Sequence, residues 1–222
     1  MKPSADHPWP VDLGEARVIQ ERIRAQVITC DAFGPIRTVA GVDAGYSGDS
    51  ALAAVVVLAF PSLQALDYAV ARRQISFPYV PGYLSFREAP AVLDALASLR
   101  ITPDLLMCDG HGLAHPRRCG IACHLGVLTD LPSIGCAKSV LVGAHDPLPD
   151  VRGAWTPLRH DDEIVGAALR TRPGVRPVYV SVGHRVSLET AIQFVMACVT
   201  RYRLPETTRA ADALASQGRI PR

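Results

Sequence analysis

RTVAGVDAGYSGDSALAAVVVLAF, residues 37–60, carries the reading on which the fold turns. Small and apolar residues run from Arg37 to Asp43 and again from Ala51 to Ala59, and Gly45 and Gly48 mark a turn between the two runs. A third run, Ala65 to Ile75, follows the turn signal at Pro61. Three strands joined by short turns imply an antiparallel meander.

Working outward from the meander, the pattern changes to alternation. Leu13, Val18, Ile23 and Val27 have helical spacing, which predicts a helix over 11–30 with Asp12 as its N-cap. Ser85-Phe86-Arg87-Glu88 has the spacing of a capping box and opens a helix through Leu99. A short buried strand, Leu105 to Cys108, ends at Asp109. A helix over 121–128, strands over 133–137, 155–158 and 177–182, a helix capped by Ser187 and running to Arg201, and a last short helix from Pro205 complete the chain. Meander first and alternation afterwards predict an α/β fold with a central mixed β-sheet flanked by helices on both faces.

The 222 residues are 49% hydrophobic and 20% charged, with 17 Gly and 18 Pro. That composition excludes disordered, collagenous and coiled-coil classes. With no repeat and no linker-like stretch, residues 1–222 read as one domain. The longest apolar run, Ala51 to Phe60, is too short to span a membrane, and Met1 to Pro10 lacks the apolar centre of an export signal. These features predict a cytoplasmic protein whose six cysteines are mostly reduced core thiols. The net charge of +2 announces no nucleic-acid binder. The basic residues are nearly all arginines, paired locally as in Arg117-Arg118 and Arg201/Arg203, a form suited to phosphate but common on any solvated face.

Asp43 and Asp109 each follow a buried strand and stand beside small residues. Two carboxylates brought together at neighbouring strand ends repel unless a cation lies between them, which is the logic of a Mg²⁺ site. The alternative is that each aspartate caps its own turn. Glu88 is a candidate third ligand, or else the capping-box partner of Ser85. His111, His115, Cys119 and Cys123 follow one another at intervals of four and could bind zinc, giving a metal-stabilised binding module. Gly110, Gly112, Pro116 and Gly120 break the helix that would align them. The same loop suits a ligand approached by backbone, with Arg117 and Arg118 toward phosphate. Finally, Phe77-Pro-Tyr-Val-Pro-Gly-Tyr-Leu84 sets Tyr79 between two prolines. Its ring is either a wedge for a base stack or a packed surface tyrosine.

These segments together resemble the endonuclease V family, the deoxyinosine 3′ endonucleases. The likeness runs from about Leu13 to Ser216 and rests on Val42-Asp-Ala-Gly-Tyr46, Phe77 to Glu88, Asp109-Gly-His-Gly-Leu-Ala-His-Pro-Arg-Arg118, Pro132-Ser-Ile-Gly-Cys-Ala-Lys138, Arg170-Thr171 and Val180 to Glu189. It implies a ribonuclease H-like fold and a Mg²⁺-dependent endonuclease, with Mn²⁺ as a substitute. The implied substrate is DNA carrying deaminated bases, chiefly deoxyinosine, cut one nucleotide 3′ to the lesion by in-line water attack. Position by position, it implies Asp43, Glu88 and Asp109 as metal ligands and as catalytic residues together with Lys138 and His184. It implies Tyr79 as the wedge, Gly82, Leu84 and Gly110 around the flipped hypoxanthine, and His115 and Arg117 at the DNA. The protein would act as a monomer without a membrane, and inosine in RNA is the alternative substrate. Cys119, Cys123, Cys136 and Val182 depart from the family's usual residues, and none carries the implied chemistry.

Overall fold

The computed structural model describes residues 7–218, so the first six residues of the segment read for an export signal lie outside the described residues. Helix α1 (Leu13–Gln26) precedes the meander β1 (Thr38–Ser47), β2 (Ser50–Ala59) and β3 (Ala65–Gln74). Then come α2 (Ser85–Ser98), β4 (Leu105–Cys108), α3 (Ile121–Thr129), β5 (Ser133–Ala137), β6 (Trp155–His160), β7 (Glu163–Leu169), β8 (Val178–His184), α4 (Leu188–Ala197) and α5 (Glu206–Gln217). One sheet takes all eight strands in the order β3-β2-β1-β4-β5-β8-β7-β6. β1, β4 and β5 run parallel, and the remaining pairs are antiparallel. This is the ribonuclease H-like mixed sheet.

The side-chain alternation of the strands divides the core. Ala40, Val42, Leu106 and Cys108 face α2 and α3, whereas Val39, Leu105, Met107, Ile134 and Cys136 pack on the other side, toward α4. Helix α5 lies on that second side against β1 and β2. Gly41 lets it come that close: a Cβ there would stand 1.9 Å from the Thr207 carbonyl oxygen. The buried Thr207 hydroxyl also meets Met107 Sδ at 3.1 Å.

Several expectations need correction. β1 does not stop at Asp43. Its pairing with β4 ends at Val42, but its hairpin with β2 continues to Ser47, so the aspartate is released on one side only. Strand β7 escaped the sequence reading because Asp161-Asp162, the turn that creates it, carries no glycine. Both aspartates adopt positive φ, 53° and 63°, the geometry of a two-residue hairpin turn. α1 ends at Gln26, where Val27 turns extended, and α4 ends at Ala197. The buried face of α1 is Ala16, Ile19, Gln20 and Ile23, while Leu13 and Val18 are exposed. No capping box forms at α2. Leu84 occupies the N-cap without a side-chain bond, and the Ser85 hydroxyl pairs instead with His124 Nδ1 at 3.0 Å. The second His124 nitrogen lies 2.8 Å from that of His7. This buried chain ties the start of α2 to α3 and to the N-terminal segment.

If Gly41 is the seat of α5, Gly41→Ala should destabilise the fold by about 3 kcal/mol, at the upper end of overpacking costs. Chemical denaturation measures this, and stability unchanged within error would show that α5 does not depend on this contact.

Candidate active site

Asp43 follows Gly41 at an interval of two, and Asp109 follows Met107 in the same way, so both carboxylates leave the sheet on the side covered by α5. Lys138 follows Cys136 and stands at the end of β5 with the same parity. The parallel pairing of β1, β4 and β5 puts these three C-terminal exits side by side. The Asp109 amide donates to the Val42 carbonyl at 2.9 Å, which fixes the two aspartates next to each other. Glu88 enters from the opposite layer, on the first turn of α2.

The electrostatics report how closely these groups crowd. Burial pushes the Asp43 carboxyl up to about 6, and the negative charges of Asp109 and Asp212 add to the rise against the opposing pull of Lys138. Glu88 rises to about 7, chiefly through burial, with Asp43 and Asp109 contributing and the Tyr46 hydrogen bond opposing. Lys138 Nζ lies 2.5 Å from Asp109 Oδ2. Partial burial disfavours its charge, but the Asp109 bond and the surrounding carboxylates outweigh this and raise its pKa. Among the described residues no three His, Cys, Asp or Glu side chains form a ready-made metal cage. The donor chemistry nonetheless fits a hard divalent cation: Asp43, Glu88 and Asp109 offer oxygen only, and their mutual repulsion is what such an ion relieves.

Beside the cluster is a recess of about 270 Å³, lined by Glu88 and Asp109 together with Gly82, Leu84, Gly110 and His115. Tyr79 stands at its mouth, 65% exposed. The Arg87 guanidinium carbon lies 5.8 Å from the Tyr79 ring centre and 4.9 Å from that of Tyr46. The Tyr46 hydroxyl donates to Glu88 Oε1 at 2.7 Å. Ring, arginine and carboxylate thus connect the exposed aromatic to the acidic cluster.

Two readings made from the sequence are corrected, the place of His184 and the zinc quartet. His184 is not beside the acidic residues. In the antiparallel pairing of β5 with β8 it stands opposite Ser133, and Lys138 lies just past the other end of β5, roughly 16 Å away along the strand at ~3.3 Å per residue. There, Nδ1 accepts from the Ile28 amide at 3.3 Å and Nε2 faces Asp130 Oδ1 at 3.4 Å. His184 therefore pins the chain after α1. Arg117 is half-buried, with its Nε and one terminal nitrogen bonded to Gln20 and to the Gly82 carbonyl. The zinc quartet is not assembled. His111 Nε2 pairs with the Ser139 carbonyl and His115 Nε2 with that of Gly82. Burial holds the Cys119 thiol up at about 12 and Cys123 well above its ordinary value, which disfavours the thiolates that zinc requires.

Sequence reasoning missed Asp212, Tyr46 and Gln20. Asp212 is exposed on α5, and its charge acts on both Asp43 and Lys138. It lies in an alanine-rich helical stretch, where nothing local marks it. Tyr46 lies in the part of β1 that pairs with β2 alone, and only the fold brings its hydroxyl to Glu88.

Comparison with known proteins gives consistent results. The family model described as Endonuclease V matches residues 21–213. An endonuclease V of Roseiflexus sp. (strain RS-1) is 84% identical over 222 residues, with all of both chains covered. The crystal structure of endonuclease V from Streptomyces avermitilis superposes with a TM-score of 0.91 at 47% identity, covering 95% of this chain and 94% of that one. The Ciona intestinalis endonuclease V, solved in complex with a 24mer DNA containing an inosine followed by a ribo-adenosine, has a TM-score of 0.78 at 29% identity, covering 93% and 97%.

The placement of His184 gives a test that separates anchoring from ligation. His184→Ala should lower the thermal midpoint by about 4 °C, as expected for roughly 1–2 kcal/mol in a chain of this size, and leave Mn²⁺ affinity in calorimetric titration unchanged. Asp109→Ala should abolish the Mn²⁺ heat. Loss of Mn²⁺ binding in His184→Ala would put the histidine back at the site.

Proposed function

The chain belongs to the endonuclease V family of DNA repair endonucleases, and on that premise we propose that Asp43, Glu88 and Asp109 hold Mg²⁺ and incise DNA one nucleotide 3′ to a deoxyinosine. It is a divalent-metal-dependent nuclease whose partner is nucleic acid carrying deaminated bases. The observation that carries the site assignment is geometric: the hydrogen bond from the Asp109 amide to the Val42 carbonyl sets Asp109 beside Asp43 at neighbouring strand ends, and the charges of both reach Glu88 on α2. Mn²⁺, with the same preference for oxygen, substitutes. The chain, with its core at about 13–216, acts as a single domain and as a monomer.

Bound at these carboxylates, the ion supplies water acidified for attack and neutralises charge on the phosphate. The side chains do the rest. Lys138, which already carries its positive charge against Asp109, moves that charge to the scissile phosphate as charge develops there. Asp212, exposed on α5 with its charge acting on Asp43 and Lys138, accepts the proton of the attacking water at a side-chain oxygen. In-line displacement breaks the P–O3′ bond and leaves a 3′-hydroxyl and a 5′-phosphate. His184 has no part in these steps.

Recognition precedes the chemistry. An extruded hypoxanthine enters the recess walled by Gly82, Leu84, Gly110 and His115, with Arg117 bonded to the Gly82 carbonyl behind it. Tyr79, exposed on a loop stiffened by Pro78 and Pro81, fills the gap left in the stack. Unstacking costs least at a weakly paired base, which favours deaminated sites.

A second reading, incision at inosine in RNA, is favoured by one observation. The Ciona relative was crystallised with a ribonucleotide directly after the inosine. Relative kcat/KM on matched inosine-containing DNA and RNA decides the preference.

A labelled duplex with one deoxyinosine, incubated with protein and Mg²⁺, should yield a single nick, and intact substrate at stoichiometric protein would refute the assignment. Asp43→Asn and Asp109→Asn should each lower the rate by about 10³-fold or more, in the range of lost electrostatic stabilisation. Tyr79→Ala should reduce the preference for inosine over undamaged duplex while leaving metal dependence unaltered.

A further inference from the structure

The Gly82 carbonyl oxygen receives three donors: Gln20 Nε2 at 3.0 Å, His115 Nε2 at 3.0 Å and Arg117 Nη2 at 2.6 Å. Two of the donors also hold each other, since Arg117 Nε donates to Gln20 Oε1 at 2.5 Å. The orientation of each is determined by its surroundings. Gln20 is fully buried on α1 and gives a second, longer bond to the Cys119 carbonyl. His115 Nδ1 accepts from the amides of Arg117 and Cys119, which leaves its proton on Nε2, facing Gly82. The Arg117 guanidinium carbon lies 3.9 Å from the centre of the Tyr83 ring. Gly82 has φ +80°, and a Cβ there would meet Arg117 Nη2 at 2.9 Å. The carbonyl can be gripped from this side only because the residue is glycine.

We infer that Gln20 and Arg117 are positioning residues for lesion discrimination, clamping the Gly82 carbonyl and thereby fixing the loop that carries Tyr79 and walls the recess. The inference rests on the function proposed above and assigns a task to α1, which the mechanism does not otherwise use. Its physical basis is that a stiff loop defines the position of its tip only if both ends are held. Phe77, at the first end, is buried, and its carbonyl accepts from Arg87 Nη1 at 2.7 Å. At the other end, the Tyr83 amide closes a turn on the Val80 carbonyl at 3.0 Å, and the clamp secures Gly82 between them. A loosened wall would still admit a base but would discriminate less between bases, because discrimination depends on fixed geometry in the transition state. The guanidinium, engaged with Gln20, Gly82 and Tyr83, then serves recognition through the loop and not through a phosphate.

The test uses the full-length protein, a duplex with one deoxyinosine and the same duplex undamaged, with thermal unfolding recorded for each variant. Gln20→Met and Arg117→Met should each lower the ratio of kcat/KM on inosine to undamaged duplex by about tenfold, mainly through kcat. The double variant should lose little more than either single one, because the residues act through one carbonyl. The slope of log K against log salt for duplex binding should stay at the wild-type value. Gln20→Glu keeps the shape and the Arg117 pair but presents no donor to Gly82 at neutral pH, so it should show the same loss if Gln20→Met folds poorly. A ratio within twofold of wild type in a folded Gln20→Glu or Gln20→Met variant overturns the clamp. So does an Arg117→Met variant that weakens both duplexes equally and reduces the salt slope by about one, the signature of a phosphate contact. A wild-type protein with no preference for inosine overturns the functional reading and the clamp with it, whereas wild-type preference with unaltered variants overturns the clamp alone.

Discussion

Repulsion among carboxylates at one end of the sheet is the constraint to which the surrounding architecture answers. Asp43 and Asp109 are held side by side by the backbone bond between β1 and the residue after β4, and Glu88 is brought to them from another layer. In water these charges would separate. Here burial and proximity raise Asp43 and Glu88 toward neutral pH, and the Lys138 ammonium on Asp109 is the countercharge the protein itself provides. A site in this electrostatic condition favours a divalent cation strongly and a neutral ligand hardly at all.

The opposing requirement is rigidity, since such groups would relax apart on a soft scaffold. Three parallel strands supply it for Asp43, Asp109 and Lys138. The α5 helix, close to the sheet because Gly41 has no side chain, supplies it for Asp212. The buried His7–His124–Ser85 chain supports the start of α2 and so the turn that bears Glu88. His124 stays neutral in that chain, because burial lowers its pKa to about 3.

Recognition and chemistry are physically continuous. The recess wall includes Glu88 and Asp109 as well as the glycines that would face a base. Arg87 lies near both the Tyr79 and Tyr46 rings, and Tyr46 bonds Glu88. Only a few contacts therefore separate the exposed aromatic from an acidic residue. The bonds on Gly82 hold the same loop from its other end.

Local pattern alone was enough for the meander, for the buried strand leading to Asp109 and for the small residues around the acidic exits, since alternation and turn chemistry act over a few residues. Likeness to a family then directed attention to Glu88, Lys138 and Tyr79, which pattern left ambiguous. Facts that depend on distant pairing were out of reach. His184 stands at the far end because β8 runs antiparallel to β5. Asp212 matters because of which sheet face α5 covers, and Arg117 turns inward because a buried glutamine from α1 meets it there. Strand direction, the face a helix covers and the partner of a buried polar group are set by contacts between segments far apart in the chain, so only the tertiary structure decided them.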